Sequence, residues 1–131
     1  MEYSVMSIKT FFTIISVIGI VFGLGYLLAP AQIAPVFGWN VTPDVLLAQR
    51  FLGAHLLAWA LIGWFARDDH DAPLLRGVLI AGAVGFPAGL VVTVVGIRSG
   101  VINALSWPIA AAYLFGAGGS AYFLTSRLQK H

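Results

Sequence analysis

Arg50 and His55 have the strongest claim to chemistry in this chain. They fall in the run Gln49-Arg50-Phe51-Leu52-Gly53-Ala54-His55, inside an otherwise apolar stretch. A neutral imidazole can carry protons or serve as the axial ligand of a haem or chlorophyll-like pigment. Ionisable residues inside an apolar span are expensive, and they mark functional sites by default. Five residues at 100° each set the two about 140° apart around a helix, so they do not make a catalytic pair on one face. Arg50 has a plainer reading, snorkelling to headgroup phosphates or pairing with Asp44. His55 also has one, as a buried imidazole donating to a backbone carbonyl or to a hydroxyl of a neighbouring helix. Phe51, one turn earlier, crowds a macrocycle at His55, whereas Ala54 and Ala58 leave room for one. No other histidine lies in an apolar stretch, so a bis-histidine haem within one chain is excluded.

Asp68, Asp69 and Asp71 cluster with His70 between Arg67 and Arg76. Asp and His are metal-ligand types, but a solvated turn accounts for the same cluster, and no metal is expected. No Asp or Glu lies inside any long apolar stretch, so the acid–base group that a membrane proton relay or isomerase needs is missing. There is no cysteine to act as nucleophile, thiolate ligand or disulfide partner. Neither a phosphate loop nor an HExxH motif occurs. Seven Lys and Arg against five Asp and Glu leave a net charge of +2 with no basic patch, which excludes a nucleic-acid partner. No catalytic residue is assigned.

Composition says what must position these groups. Of 131 residues, 60% are hydrophobic and only 9% charged, where soluble domains carry about 25% charged residues. Four apolar stretches, 11–28, 45–65, 77–97 and 106–124, each approach the roughly 20 residues that cross a hydrocarbon core of about 30 Å. The expected fold is all-α, an integral membrane four-helix bundle forming one transmembrane domain over 1–131. A signal peptide is the rival reading of 11–28, but 18 apolar residues exceed the usual core of about 7–15. Asp44 is placed to cap the second helix, and Pro108 suits the first turn of the fourth. Residues 101–107 can instead extend the fourth helix with a kink at Pro108.

Lys9, Arg67, Arg76, Arg127 and Lys130 gather on one side, against Arg98 in a loop on the other. By the positive-inside rule both termini are then cytoplasmic, in a multi-pass protein of the inner membrane. Residues 29–44, with three prolines and Ile33, Val36, Phe37 and Trp39, are too apolar for a wet loop. They read as an interfacial hook, or as a loop packed on the bundle. Trp39, Asn40, Arg50, Arg98, Asn103 and Trp107 then share the outer face. There they can line a pocket for a lipid headgroup or a quinone, or serve as interface anchors.

Helix association in lipid depends on close backbone approach at small residues. Gly19 with Gly23, then Ala81, Gly85 and Gly89, then Ala112, Gly116 and Ser120, supply three such faces at four-residue spacing. Pro87 should free the Ala83 carbonyl and bend the third helix.

The run Arg50-Phe51-Leu52-Gly53-Ala54, with Leu56, Leu57, Ala60 and the Trp64-Phe65-Ala66-Arg67 exit, resembles small four-helix bacterial membrane proteins of the broad DoxX-like group. The resemblance implies a compact four-helix bundle. Some of that group are associated with quinone-linked redox complexes, but no residue set here carries such a role over. The function expected from the residues is non-catalytic: an accessory subunit of a larger membrane complex or a small homo-oligomer, with lipids, other subunits or itself as partners. A lipid- or quinone-binding oxidoreductase component, with Arg50 and His55 facing an internal cavity, is the alternative. A pigment- or haem-associated subunit is a third. No cofactor is assigned.

Overall fold

The computed structural model describes residues 6–68 and 72–128. Its long helices are α1 (Ile8–Leu28), α3 (Pro43–Ala66), α4 (Ala72–Arg98) and α5 (Trp107–Leu128), with a short α2 (Pro30–Ile33) after α1. Single 3-10 turns cover Ala34–Phe37 and Ala104–Ser106. There is no strand among the described residues. By length and composition α1, α3 and α4 can each cross a membrane, the mark of a membrane protein. The helix α5 is as long, at 22 residues, but Tyr113, Gly116, Gly118, Gly119, Ser120 and Tyr122 dilute its apolar character.

Local chemistry sets the helix starts. Ser7 caps α1 by accepting from the Thr10 N–H at 3.1 Å, so the helix begins ahead of the apolar run. Thr42, not Asp44, caps α3, its hydroxyl accepting from Val45 N–H at 3.3 Å. Pro43 then occupies the first turn, where its missing N–H is no loss, and Asp44 is already helical. Residues 101–106 do not extend α5, which begins at Trp107. Asn103 accepts from Leu105 N–H at 3.0 Å and starts a 3-10 turn before Trp107. The helix α4 continues unbroken through Pro87.

The first half of the 29–44 segment packs on the helices, while residues 38–44 are exposed. Pro30 and Ala34 are buried, Ile33 sits where a side chain on Gly25 would go, and the Phe37 ring lies 6.3 Å from that of Phe22. Gly38, at φ +86°, ends the 3-10 turn in a conformation that side chains rarely adopt.

The long helices pack as two antiparallel pairs, α1 with α3 and α4 with α5, and the pairs touch each other far less. In the first pair, backbones meet at glycine. A Cβ on Gly23 would lie 2.8 Å from Leu57 N, and one on Gly19 would lie 2.8 Å from the Ala60 Cβ. The second pair interlocks rings and hollows. The Phe86 ring fills the space over Gly116, the Tyr113 ring covers Gly89, and Ser120 lies against Gly82. The face of α4 turned to α5 is therefore Gly82, Phe86 and Gly89, one position off the expected Ala81–Gly85–Gly89 stripe at its first two members and shared with it at Gly89. A Cβ on Gly85 would meet nothing within 4 Å. Phe86 sets that register, because its ring needs the Gly116 hollow.

Two ties join the pairs. At the base, where α1 starts and α3 turns into α4, Phe11 packs on Phe115 and Phe123 at 5.5 and 5.4 Å between ring centres and covers Gly119. Phe12, Ala66, Leu75 and Leu79 complete that buried cluster. At the top, Asn103 donates through its backbone N–H to Phe37 O and through Nδ2 to Val36 O, both at 2.9 Å.

Candidate functional site

Arg50 and His55 both project from α3 and both are exposed. Gly53 and Ala60 form the face of α3 that meets α1. At 100° per residue His55 lies about 160° from Gly53, on the far side, and Arg50 lies about 60° away on the flank. The expected burial of His55 and the inward placement of both residues therefore give way to the demand of the glycine face. Arg50 makes no hydrogen bond or ion pair with another described residue, so the expected pairing with Asp44 is absent. His55 Nδ1 stands 2.7 Å from Phe51 O. A carbonyl only accepts, so Nδ1 carries the proton, and in the neutral ring Nε2 keeps a lone pair. The partner is the residue's own helix, one turn back.

The six residues assigned to the outer face, Trp39, Asn40, Arg50, Arg98, Asn103 and Trp107, are all exposed, and none lines the central cleft. Asn103 is engaged throughout: it holds Val36 and Phe37 together, caps the following turn, and accepts from Ser106 N–H at 3.0 Å. It is a clamp. Trp39 adjoins this clamp in sequence and donates its backbone N–H to Ala34 O at 3.0 Å.

The structure holds a cleft that the sequence does not reveal. Between the two helix pairs lies a cleft of about 290 Å³ to which all four long helices contribute. Gly19, Ala60, Gly82 and Gly85 keep its walls thin, and Ser16, Tyr113 and Ser120 bring the hydroxyls. Ser16 is 1% exposed, and its oxygen has no hydrogen-bond partner. Trp59 and Gly85 line the cleft and are themselves exposed, so it opens sideways between α3 and α4. The signal that could have found it is the pair of small-residue faces on α4, Gly82–Gly89 and Gly77–Gly85, of which only the first is used by α5. Of the three expected small-residue faces, Gly19 with Gly23 meets α3, and Gly116 with Ser120 meets α4. Ala112 is half-buried on α5, whereas Ala81 and Gly85 line the cleft.

At the base, Lys9 Nζ lies 2.7 Å from Asp68 and Arg67 Nε 3.2 Å from it, while the Arg67 guanidinium stacks 3.4 Å over Trp64. The Lys9 and Arg67 hydrogen bonds hold the Asp68 carboxyl below the usual carboxylate range. Asp69, His70 and Asp71 lie outside the described residues; among those described, no group of His, Asp or Glu is arranged to hold a metal. No protein family, curated protein or solved structure matches the chain.

Proposed function

We propose that the chain crosses the inner membrane four times with both ends in the cytoplasm. It works without catalysis, as an accessory subunit on a larger membrane complex or on further copies of itself. One observation carries this reading: Arg50, inside a candidate crossing, is exposed and has no partner among the described residues. It sits seven residues, about 10 Å, in from Pro43. A charge at a helix centre costs about 2.5–3.5 kcal/mol on insertion scales, and less toward the ends. A polar or acidic group on a neighbouring subunit offsets that cost. The length of α5 and its packing along α4 support a fourth crossing. Lys9, Arg67 and Arg76 near the base, against Arg98 at the top, support the orientation.

The natural chain has no cysteine, so single cysteines report cleanly. Ala54→Cys and Ala58→Cys, on the exposed strip of α3, should cross-link to a second copy or to one defined partner, and Arg50→Leu should dissolve that assembly. A lone monomer after gentle extraction, with no cross-link at either position, overturns the reading. Labelling of cysteines placed in each connection by an impermeant maleimide checks the number of passes and the side of each end.

A second reading makes His55 the axial ligand of a tetrapyrrole. The hydrogen bond from Nδ1 to Phe51 O supports it, because metal-binding histidines commonly fix the free nitrogen in this way. An absorption spectrum of the purified protein decides it: without a tetrapyrrole band the reading ends.

A further inference from the structure

We propose that the α3–α4 side of the molecule seats one acyl chain of an inner-leaflet phospholipid, running from the base of α4 into the central cleft. The proposal rests on the membrane reading above and goes beyond it by naming an occupant. A second hollow of about 260 Å³ lies beside the cleft and shares Trp59, Val78 and Ala81 with it. Its far end is lined by Pro73 and Leu74, in the first turn of α4. The two therefore form a single trough over residues 73–85.

Length selects the occupant. Twelve residues at 1.5 Å rise make about 18 Å, and one leaflet of a 30 Å hydrocarbon core is about 15 Å deep. A chain hanging from a headgroup at the base has that reach. Gly77, Ala81 and Gly85 recur every four residues along the trough, and a side chain begun at Gly77 or Gly85 would meet nothing within 4 Å. The protein leaves this track unfilled. Its mouth, at Trp59 and Gly85, lies within two candidate crossings, where the surrounding solvent is hydrocarbon.

Charge fits the same end. Arg76 is exposed one turn after Pro73 and has no partner among the described residues. A basic side chain at the cytoplasmic end of the helix, next in sequence to Gly77 of the hollow, is suited to a phosphate headgroup.

The test is photolabelling in vesicles of phosphatidylethanolamine and phosphatidylglycerol, doped with phosphatidylglycerol carrying a diazirine on one acyl chain. The segments bearing Trp59 and Tyr113 should be labelled, along with the outward Val91 and Val92, which report simple contact with bulk lipid. Gly85→Leu fills the cleft and Gly77→Leu blocks the approach. Each should abolish label at Tyr113 while leaving it at Val91 and Val92, which also shows that the variant is folded in the bilayer. Arg76→Gln should lower the Tyr113 label several-fold. Label confined to Val91 and Val92 in the natural chain overturns the proposal and spares the membrane reading. Tyr113 label unchanged in both leucine variants overturns it too, as do copies cross-linked through the trough without acyl label. Label nowhere sinks both.

Discussion

Gly23 and Gly53 meet backbone to backbone where α1 crosses α3. A Cβ on Gly53 would lie 2.7 Å from the Gly23 carbonyl oxygen, and one on Gly23 would lie 3.0 Å from the Gly53 carbonyl oxygen. Backbone cannot swing aside as a side-chain tip can, so this crossing tolerates no added atom.

Gly53→Ala should therefore separate α1 from α3 at a cost of about 1–3 kcal/mol, the usual range for overpacking. Gly85→Ala, where nothing lies within 4 Å, serves as the matched control and should be neutral. Unfolding in mixed micelles measures both. Equal stability of the two variants would mean that the α1–α3 crossing is not the one described.

Asn103→Ala removes the donor to Val36 O and the acceptor for Leu105 N–H. At about 0.5–1.5 kcal/mol for each hydrogen bond, the loss is about 1–3 kcal/mol. It should be concentrated at the top, as faster hydrogen exchange over 34–40. Asn103→Asp keeps the acceptor and should fall between the two. Exchange that rises evenly along the chain contradicts the clamp.

Asp68 ties the start of α1 to the turn after α3 through Lys9 and Arg67. Its carboxyl ionises below the ordinary value of 3.8, so the tie is fully present above that value and is lost as the pH falls through the lower folded-state value. Natural chain and Asp68→Asn should differ in melting temperature at neutral pH and converge below pH 3.8. A gap that widens in acid reverses the sign and refutes the argument.

His55→Leu should leave the isolated chain within about 0.5 kcal/mol of its natural stability, because the side chain is exposed and, among the described residues, bonds only to its own helix. A loss of several kcal/mol would place the imidazole in a packed interior.

Phe86→Ala empties the hollow over Gly116 and removes the ring that stands 6.4 Å from Tyr113. In soluble cores such a truncation costs about 3–5 kcal/mol. The α4–α5 pair should loosen, seen as faster hydrogen exchange over 109–120. Exchange there unchanged from the natural chain argues against the interlock.

Helix existence was legible in the residues because apolar stretches near 20 residues leave a chain little choice but to bond its own backbone. The helix starts were less so. Thr42 and Ser7 are three-atom matters of which hydroxyl reaches which N–H, and Asp44 was an equally good cap by type. Gly19, Gly23, Gly116 and Ser120 could be read as contact faces from spacing alone, since four residues bring a helix back to nearly the same side. Ala81 and Gly85 could not be told from Gly82 and Gly89 in this way, because steps of four and of seven residues both return a helix to nearly the same side.

By itself, then, the sequence determined that the molecule is helical, apolar enough for a membrane, and free of thiol chemistry and intramembrane acids. Only the tertiary structure decided which faces met. The glycine contact of α3 with α1 turned Arg50 and His55 outward, and the fit of Phe86 over Gly116 left Gly77 and Gly85 uncovered. Periodicity states that a helix has a small-residue side, but the choice among sides rests on which ring finds which hollow, and that requires both partners in place.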